Sequence, residues 1–468
     1  MLAPDPLLVA TNRFGLGARG AAALYLSGGG GDPRAFVLAE INKPPLDLPG
    51  KQQASSAHLL QLFFAEQKAV RDARAMPVMM PSAHDPNTAN QAAVPERNIA
   101  RDVYREEALL RFQQAFRVPS GLIERLTAFW ANHFAVSCFK GPFVRIVAGA
   151  YEREAIRPHV LGRFSDMVMA VERHPAMIFF LDNTWSAGAQ SQVGRNNPKR
   201  GLNENLAREI LELHTLGVNG GYTQADVTSL ANMITGWTYS GPDGRFGEPG
   251  QFAFVPQWHE PGPQTLLRRI FDQQGVAQGE AALRMLCQHE KTAKFIATKL
   301  ARHFVADDAP PALVERLAKT FQTTGGDLAS VTRVLVNSEE AWSYPLTKMR
   351  SPRDFMMASW RLLGRIPEEP QRILNALNVL GEPLWSPPGP NGFPDTKAAW
   401  EAPEQIKLRL DLAAQMARQL RDPPNPSDLL EEVFGPAASV ATREAVRRAE
   451  SKQQGIALLL MSPEMQRR

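Results

Sequence analysis

The sequence predicts an all-α fold: a large multi-helix globular protein with long ordered loops rich in glycine and proline. Apolar residues recur at helical spacing through most of the chain, and the strict alternation typical of a half-buried strand is hard to find. With 468 residues and 44% hydrophobic content, the chain can bury a large core. Its length favours two or three structural units over one.

Twelve segments carry the helical pattern, and many of them begin with a capping residue. Ser120 precedes one segment, and Thr223 with Asp226 forms a Thr-x-x-Asp variant of the capping box. Such residues satisfy the first N–H groups of a helix, which have no partner within it. The predicted helices span residues 98–117, 120–138, 150–171, 203–217, 223–237, 280–305, 312–324, 327–338, 352–364, 370–380, 404–421 and 440–461.

Three stretches interrupt this pattern. Residues 76–96 are rich in Pro, Asn and Ala and predict an extended surface loop. Residues 240–264 and 381–400 are dense in Gly and Pro yet hold several Phe and Trp residues, which indicates loops packed on the protein. Loops of this length are uncommon unless they are functional.

The interruptions predict a division of the chain into four parts. N-terminal helices and the extended loop occupy residues 1–97, and a central helical core occupies residues 98–240. A functional-looking loop follows at residues 241–265, and a C-terminal helical region fills residues 266–468.

Composition excludes several classes of protein. The formal net charge of +4 creates no field that requires a nucleic acid or a membrane, so we expect neither as a partner. No window reaches the roughly 18 apolar residues of a membrane span.

Cys138 and Cys287 are the only cysteines, which excludes a disulfide framework and a cysteine zinc site but leaves room for one bridge. The first residues lack the basic and apolar segments of a signal peptide, which predicts a cytoplasmic protein.

The segment from Asn203 to Gly217 has the most unusual pattern. At about 100° per residue, one arc of this predicted helix collects three carboxylates, a guanidinium and an amide, while the other faces are almost wholly apolar. His214 falls opposite that arc and is predicted to be packed. The arc, called the acidic strip below, consists of Glu204, Asn205, Arg208, Glu209 and Glu212.

Two interpretations of the acidic strip stay open. If it faces a cleft, Glu209 and Glu212 project together and could bind a divalent cation or act as an acid and a base, with Arg208 and Glu204 holding them in place. Alternatively, the strip is an exposed polar face with ordinary ion pairs between residues four apart, which contribute little to stability.

Two histidines are further candidates for a catalytic role. His133 falls on an aromatic stripe with Trp130, where a histidine is commonly a packed core residue, and Asn132 could supply a cap or a site amide. His259 and Glu260 lie in the Gly/Pro-rich loop, which is typical of a lid or of a plain turn. Most of a group of six polar residues on predicted helix 280–305 are interpreted as a solvated face: His289, Glu290, Lys291, Lys294, Lys299 and His303.

Several motifs together resemble the bacterial family called Domain of Unknown Function 1800. The resemblance runs in order from about residue 10 to 400. It is carried by Asn12-Arg-Phe-Gly-Leu-Gly, Phe129-Trp-Ala-Asn-His-Phe, the whole of 203–218, Gly221-Tyr-Thr-Gln-Ala-Asp-Val, Leu230 to Trp237, and Leu380-Gly-Glu-Pro-Leu-Trp with Pro387, Pro388 and Gly392.

The resemblance implies a helical protein without an agreed activity. Members are often encoded beside a family that resembles the alkaline-phosphatase and sulfatase clan, which implies a protein partner of that kind. Many relatives are exported, so a periplasmic or exported location is the alternative to the cytoplasm. In the loop after His259, Glu260 stands where the family usually has Asp, and Gln264 where it has Lys.

Two hypotheses about function follow. The first is an enzyme whose cleft is formed by 203–217, 129–134 and 252–262, with a divalent metal held by Glu209 and Glu212. The second is a non-catalytic helical scaffold that positions the phosphatase-like or sulfatase-like partner.

Overall fold

The computed structural model describes residues 4–18, 31–43, 48, 53–75, 98–197, 200–365 and 368–468. It is mainly α-helical, with 63% helix and 4% strand, which confirms the mainly-α class. The predicted loop 76–96 lies outside the described residues. Both cysteines, Cys138 and Cys287, are buried and free.

The α-helices are numbered in chain order. They are α1 Pro6–Leu8, α2 Pro33–Ile41, α3 Ser56–Ala75, α4 Ile99–Arg117, α5 Leu122–His133, α6 Pro142–Tyr151, α7 Phe164–Glu172, α8 Pro175–Phe180, α9 Gln192–Asn196, α10 Asn205–Glu209, α11 Gln224–Met233, α12 Val276–Gln288, α13 Glu290–Phe304, α14 Pro311–Thr323, α15 Leu328–Asn337, α16 Glu340–Ser343, α17 Pro352–Leu363, α18 Pro370–Val379, α19 Lys397–Trp400, α20 Pro403–Arg418, α21 Pro426–Phe434, α22 Val440–Arg447, α23 Lys452–Leu460 and α24 Pro463–Gln466.

Other short elements join these helices. Val9–Phe14, Glu152–Ile156 and Ile210–His214 are π-helical, with one extra residue per hydrogen-bonded turn. Cys138–Lys140, Arg157–His159, Asn183–Trp185, Pro256–Trp258 and Gly435–Ala437 are 3₁₀ turns. None of the helices described above combines the length and the apolar composition that a bilayer crossing requires.

Predicted helix 280–305 is in fact two helices. The backbone of His289 is extended, and its Nδ1 accepts a hydrogen bond from the N–H of Lys291 at 3.1 Å, so this histidine ends α12 and caps α13. Ser451 divides 440–461 in the same way, because its hydroxyl caps α23. The single helix predicted over 150–171 is also wrong, since a π-helical turn and a 3₁₀ turn separate α6 from α7.

Two small antiparallel hairpins add β structure to the mainly α fold. Strand β1, Trp237–Tyr239, pairs with β2, Phe252–Phe254, with Thr238 opposite Ala253. Strand β3, Gln264–Leu266, pairs with β4, Arg269–Phe271. Sequence periodicity missed them because three residues are too few to show an alternation.

The buried apolar side chains form two large clusters. The first runs from Val9 to Trp342 and contains most of α5 to α15, while the second joins α4 to α17 and the helices that follow it. Arg125 links the two regions: its guanidinium donates to the carbonyl of Gly15 and to Asp354 Oδ2 at 2.8 Å, the latter at the start of α17. The four-part division of the chain stays a prediction.

Candidate functional site

A cavity of about 250 Å³ lies between the two apolar clusters. Its wall combines the end of α5, one face of α13, the start of α17 and the segment 382–396, and we call it the central cavity. The charged and histidine side chains that line it are Arg111, His133, Glu152, Lys299, Arg302, His303, Arg353, Asp354, Glu382, Asp395 and Arg468.

His303 and Asp395 form a hydrogen-bonded pair on the wall of this cavity. Nδ1 of His303 lies 2.8 Å from Oδ2 of Asp395. Because a carboxylate only accepts, Nδ1 carries the proton and Nε2 keeps its lone pair. Nε2 is buried and has no hydrogen-bond partner among the described residues. The ring is therefore oriented through one nitrogen while the other is left free.

The electrostatics of the pair favour a neutral imidazole beside an ionised carboxylate. Burial lowers the pKa of His303 to about 4, outweighing the nearby Asp395 carboxylate, which would raise it. Burial alone would raise the pKa of Asp395, but His303, Arg468 and Lys348 hold it far below its ordinary value. Arg468 Nη2 lies 3.1 Å from Oδ1 of this carboxylate.

Lys299 and His133 form a second pair, one helical turn from the first. Nζ of Lys299 lies 2.8 Å from Nδ1 of His133, and Nε2 of His133 lies 3.2 Å from the carbonyl oxygen of His214. The carbonyl can only accept, so Nε2 carries the proton and Nδ1 accepts from Lys299. Lys299 and His303 are four residues apart on α13 and share a face.

Burial lowers the pKa of Lys299 to about 8, and Arg302 lowers it further while Asp395 opposes the shift. The pKa of His133 lies well below its ordinary value because the ring is buried and faces the Lys299 ammonium. His133 is therefore neutral at pH 7.

The charges on the cavity wall are not fully matched. Three of the basic lining residues each contact a carboxylate: Arg111 contacts Glu152 at 2.9 Å, Arg353 contacts Asp354 at 3.4 Å and Arg468 contacts Asp395 at 3.1 Å. In contrast, neither Lys299 nor Arg302 has a carboxylate of the described residues within 4.0 Å. The Nε of Arg302 donates to the backbone carbonyl of Asp307 at 3.2 Å. Two cations thus line the cavity without a carboxylate of the described residues in ion-pair contact.

The side chains of Asn132 and Glu152 form hydrogen bonds with segment 382–396 and hold it against the cavity. The amide of Asn132 accepts from the N–H of Phe393 at 2.8 Å and donates to its carbonyl at 2.9 Å. Gly392 adopts φ +75°, and a Cβ there would collide with Asn132. Trp385 also has a positive φ, 47°, and its indole N–H donates to Glu152 at 3.0 Å. Such backbone strain in a bulky residue persists only where its surroundings impose it.

Two of the predicted site residues, His133 and Asn132, line the central cavity. Trp130 is almost wholly buried beside them, with its ring stacked on Phe134 and tilted against Phe164. His214 is fully buried, as predicted, with Nδ1 at 2.8 Å from Glu172.

The acidic strip does not line the central cavity. Glu204 accepts hydrogen bonds from Thr228 at 2.7 Å, Gln224 at 2.8 Å and Arg208 at 3.2 Å, the last an ion pair between residues four apart. Asn205 is exposed. The helix changes from α to π at Ile210, so positions 210–214 leave the 100° spacing on which the strip was predicted.

Glu209 and Glu212, the predicted metal ligands, are half-buried. Burial raises the pKa of Glu209, and Glu212 accepts from the Tyr222 hydroxyl at 3.4 Å. Within the described part of the chain, no group of three or more His, Cys, Asp or Glu side chains is arranged to hold a metal ion. A cation held by these two carboxylates stays a prediction.

His259 and Glu260 occupy a separate location beside β1. Nδ1 of His259 lies 3.2 Å from the carbonyl of Thr235, whose hydroxyl accepts from the N–H of Glu260 at 2.8 Å. Oε2 of Glu260 accepts from the N–H of Gln190 at 2.8 Å. Burial lowers the pKa of His259. His133 lines the central cavity, whereas His259, Glu260 and the acidic strip do not.

The predicted solvated face of 280–305 holds for Glu290, Lys291 and Lys294, which are exposed, but it does not extend to Lys299 and His303. His303 is 7% exposed, and both residues line the central cavity. One signal was available: Ile296, Leu300 and His303 follow the i, i+4, i+7 spacing of a buried stripe. No local signal marked Asp395, because its contact with His303 joins positions 92 residues apart.

Comparison with known proteins identifies the family. The family described as a protein of unknown function (DUF1800) matches residues 9–467, nearly the whole chain. This match confirms the resemblance inferred from the motifs. No curated protein and no solved structure matches the chain.

Proposed function

The chain belongs to the DUF1800 family, and we propose that it is an enzyme that binds a small anionic molecule in the central cavity and transfers a proton through His303. One observation carries the proposal. The buried His303 lines the central cavity and is oriented by Asp395 at 2.8 Å, which leaves its Nε2 without a hydrogen-bond partner among the described residues. The same cavity is lined by Lys299 and Arg302, two cations that no carboxylate of the described residues contacts.

The unmatched cations favour an anionic ligand. Lys299 and Arg302 lie three residues apart on α13, so a single carboxylate or phosphate group could contact both. The buried charge of a ligand is stabilised when such partners are already in place.

A bound anion would also prepare His303 for catalysis. A nearby negative charge raises the pKa of an imidazole toward neutrality, where a general base is most effective. Asp395 would then stabilise the imidazolium that forms when Nε2 accepts a proton.

Binding is tested by differential scanning fluorimetry with small carboxylates, each compared with its uncharged amide. The carboxylates should raise the melting temperature of the parent protein, and Lys299→Met and Arg302→Gln should abolish the rise. Lys294→Met is the matched control, because Lys294 is exposed on the same helix and pairs with Glu315. Equal responses to acid and amide would refute an anion site.

Proton transfer is tested by proton NMR of bound carboxylates in D₂O. The protein should accelerate exchange of protons next to a carbonyl, and His303→Gln should abolish the acceleration while leaving binding intact. A His303→Gln variant that exchanges protons at the parental rate would exclude His303 as the base.

The scaffold hypothesis remains the alternative. It predicts that purified protein binds a phosphatase-like or sulfatase-like partner with an affinity that Lys299→Met and His303→Gln do not change. Pull-down of that partner alongside failure of both tests above would favour it over an enzyme.

A further inference from the structure

We propose that Lys299 is a nucleophile that forms an imine with a small 2-oxo acid in the central cavity. This inference rests on the proposed function and names its substrate class. It assigns the carbonyl carbon of the substrate to Nζ of Lys299 and its carboxylate to Arg302.

The surroundings of Lys299 differ from those of four other lysines in the described part of the chain. Lys140, Lys294, Lys348 and Lys397 each have a carboxylate within 3.2 Å. A contacting carboxylate in general favours the charged ammonium, which has no lone pair and cannot attack a carbonyl. Lys299 instead contacts a neutral imidazole nitrogen, at 2.8 Å.

His133 also orients the amine. Its Nε2–H is committed to the carbonyl of His214, so Nδ1 can only accept a hydrogen bond. One N–H of Lys299 therefore points at His133, and the nitrogen lone pair is directed away from that ring. The half-buried Lys299 lines the cavity, so a ligand bound there could approach its amine from the side opposite His133.

The protonation state of the Lys299 amine also favours its role as a nucleophile. The groups around Lys299 are His133 on α5, Arg302 and His303 on α13, and Asp395 on the 382–396 segment. Burial lowers the pKa of Lys299 to about 8, with Arg302 adding to the shift and Asp395 opposing it. At pH 7.5 roughly a quarter of the amine is then neutral, compared with about one part in a thousand for an ordinary lysine.

The reaction balances without any further reagent. The Nζ lone pair forms a bond to the carbonyl carbon, and the carbonyl oxygen becomes a hydroxyl. The carbon–oxygen bond then breaks, and the oxygen leaves as water with the two hydrogens that the amine loses. His303 lies on the same face of α13 and can accept the first amine proton at Nε2 and pass it to the carbonyl oxygen. It can then transfer the second amine proton to the hydroxyl as that group departs.

The cavity suits a molecule of this size and charge. A volume of about 250 Å³ admits a compact ligand, and its wall combines apolar side chains with charged groups that could orient a carboxylate. Arg302 is exposed, so it can capture a carboxylate at the edge of the cavity. The carboxylate then lies one helical turn or less from both Lys299 and His303.

The experiment is reductive trapping of the full chain with glyoxylate or pyruvate and sodium cyanoborohydride, followed by peptide mass spectrometry. Lys299 should be modified at least tenfold faster than Lys294, with saturation as the oxo acid concentration rises. The rate should increase as the pH rises through 8. Lys299→Arg should lose this modification, and Arg302→Gln should raise the half-saturating concentration of the oxo acid.

Three outcomes separate this inference from the proposed function. Modification of Lys299 no faster than that of Lys294, in a protein whose melting temperature the oxo acid raises, would overturn the imine and leave the anion site standing. Absence of both binding and trapping would overturn both. Trapping at Lys299 in preference to Lys294 would support both, and circular dichroism would confirm that Lys299→Arg is folded.

Discussion

Lowering the pH should destabilise this protein through His303, beginning at pH values above those at which an ordinary carboxylate takes up its proton. Burial lowers the pKa of the folded imidazole to about 4, whereas an unfolded histidine ionises near 6.5. Between these two values the unfolded chain binds a proton that the folded chain does not, so the free energy of unfolding falls as the pH falls. Arg468 and Arg125 add to this effect, and Asp395 opposes it.

The size of the loss follows from the two pKa values. At pH 5, His303 should have removed about 2 kcal/mol of the stability present at pH 8, and near pH 4 about 3 kcal/mol. Asp395 acts in a lower range. Because the folded pKa of Asp395 is depressed, its stabilising contribution is fully present above about pH 4 and is lost only below that value.

Urea unfolding of the parent protein and of His303→Gln, at pH 8 and pH 5, isolates this contribution. The parent should lose about 2 kcal/mol more than the variant between the two pH values, because every other group titrates in both. Tryptophan fluorescence and circular dichroism should report the same midpoints. Equal losses would mean that Asp395 keeps the folded imidazole as basic as an unfolded one, and the neutral His303 would be refuted.

Two further variants test the central cavity, and a third tests the cation site predicted on the acidic strip. Gly392→Ala should lower stability by about 2 kcal/mol, measured by thermal unfolding, since it combines a positive φ with a collision against Asn132; an unchanged melting temperature would contradict this. Asp395→Asn should slow proton exchange by about 100-fold, because an amide can donate to the ring and place the proton on the wrong nitrogen; an unchanged rate would count against the pair. The carboxylates of Glu209 and Glu212 should bind Mn²⁺ with a Kd of about a millimolar, because two carboxylates supply few oxygen ligands. Calorimetry should lose that heat when both are changed to Gln, and unchanged heat would exclude the site.

Helix periodicity predicted much of the fold because apolar burial sets the spacing of side chains along each helix. It failed where a local hydrogen bond competes with the helix, as at His289, whose ring caps α13. It also failed at Ile210–His214, where the π-helical turn changes which side chains share a face. The acidic strip was predicted with an α-helical wheel and was therefore least secure in its second half.

Residues of the central cavity could be predicted from the sequence only where the pattern within a single helix marked them. The aromatic stripe of α5 led to His133 and Asn132, which line the central cavity. The other wall depends on contacts far apart in sequence, such as the amide of Asn132 with Phe393, 261 positions away. Charged residues on an amphipathic helix are ordinarily solvated, so Lys299 could be recognised only once segment 382–396 was placed over it.

The Lys299 ammonium has no carboxylate of the described residues in ion-pair contact, and its burial should therefore lower the free energy of unfolding. The pKa of Lys299 is about 8 instead of 10.5, so keeping its ammonium in the folded state at pH 7 costs about 2 kcal/mol, allowing for solvent screening at a half-buried position. Methionine has a similar length without the charge, so Lys299→Met should stabilise the ligand-free protein by about that amount while it abolishes carboxylate binding. Thermal unfolding with and without ligand measures both effects. A variant that is less stable than the parent would show that Lys299 supports the fold and would remove the reason to expect an anion in the cavity.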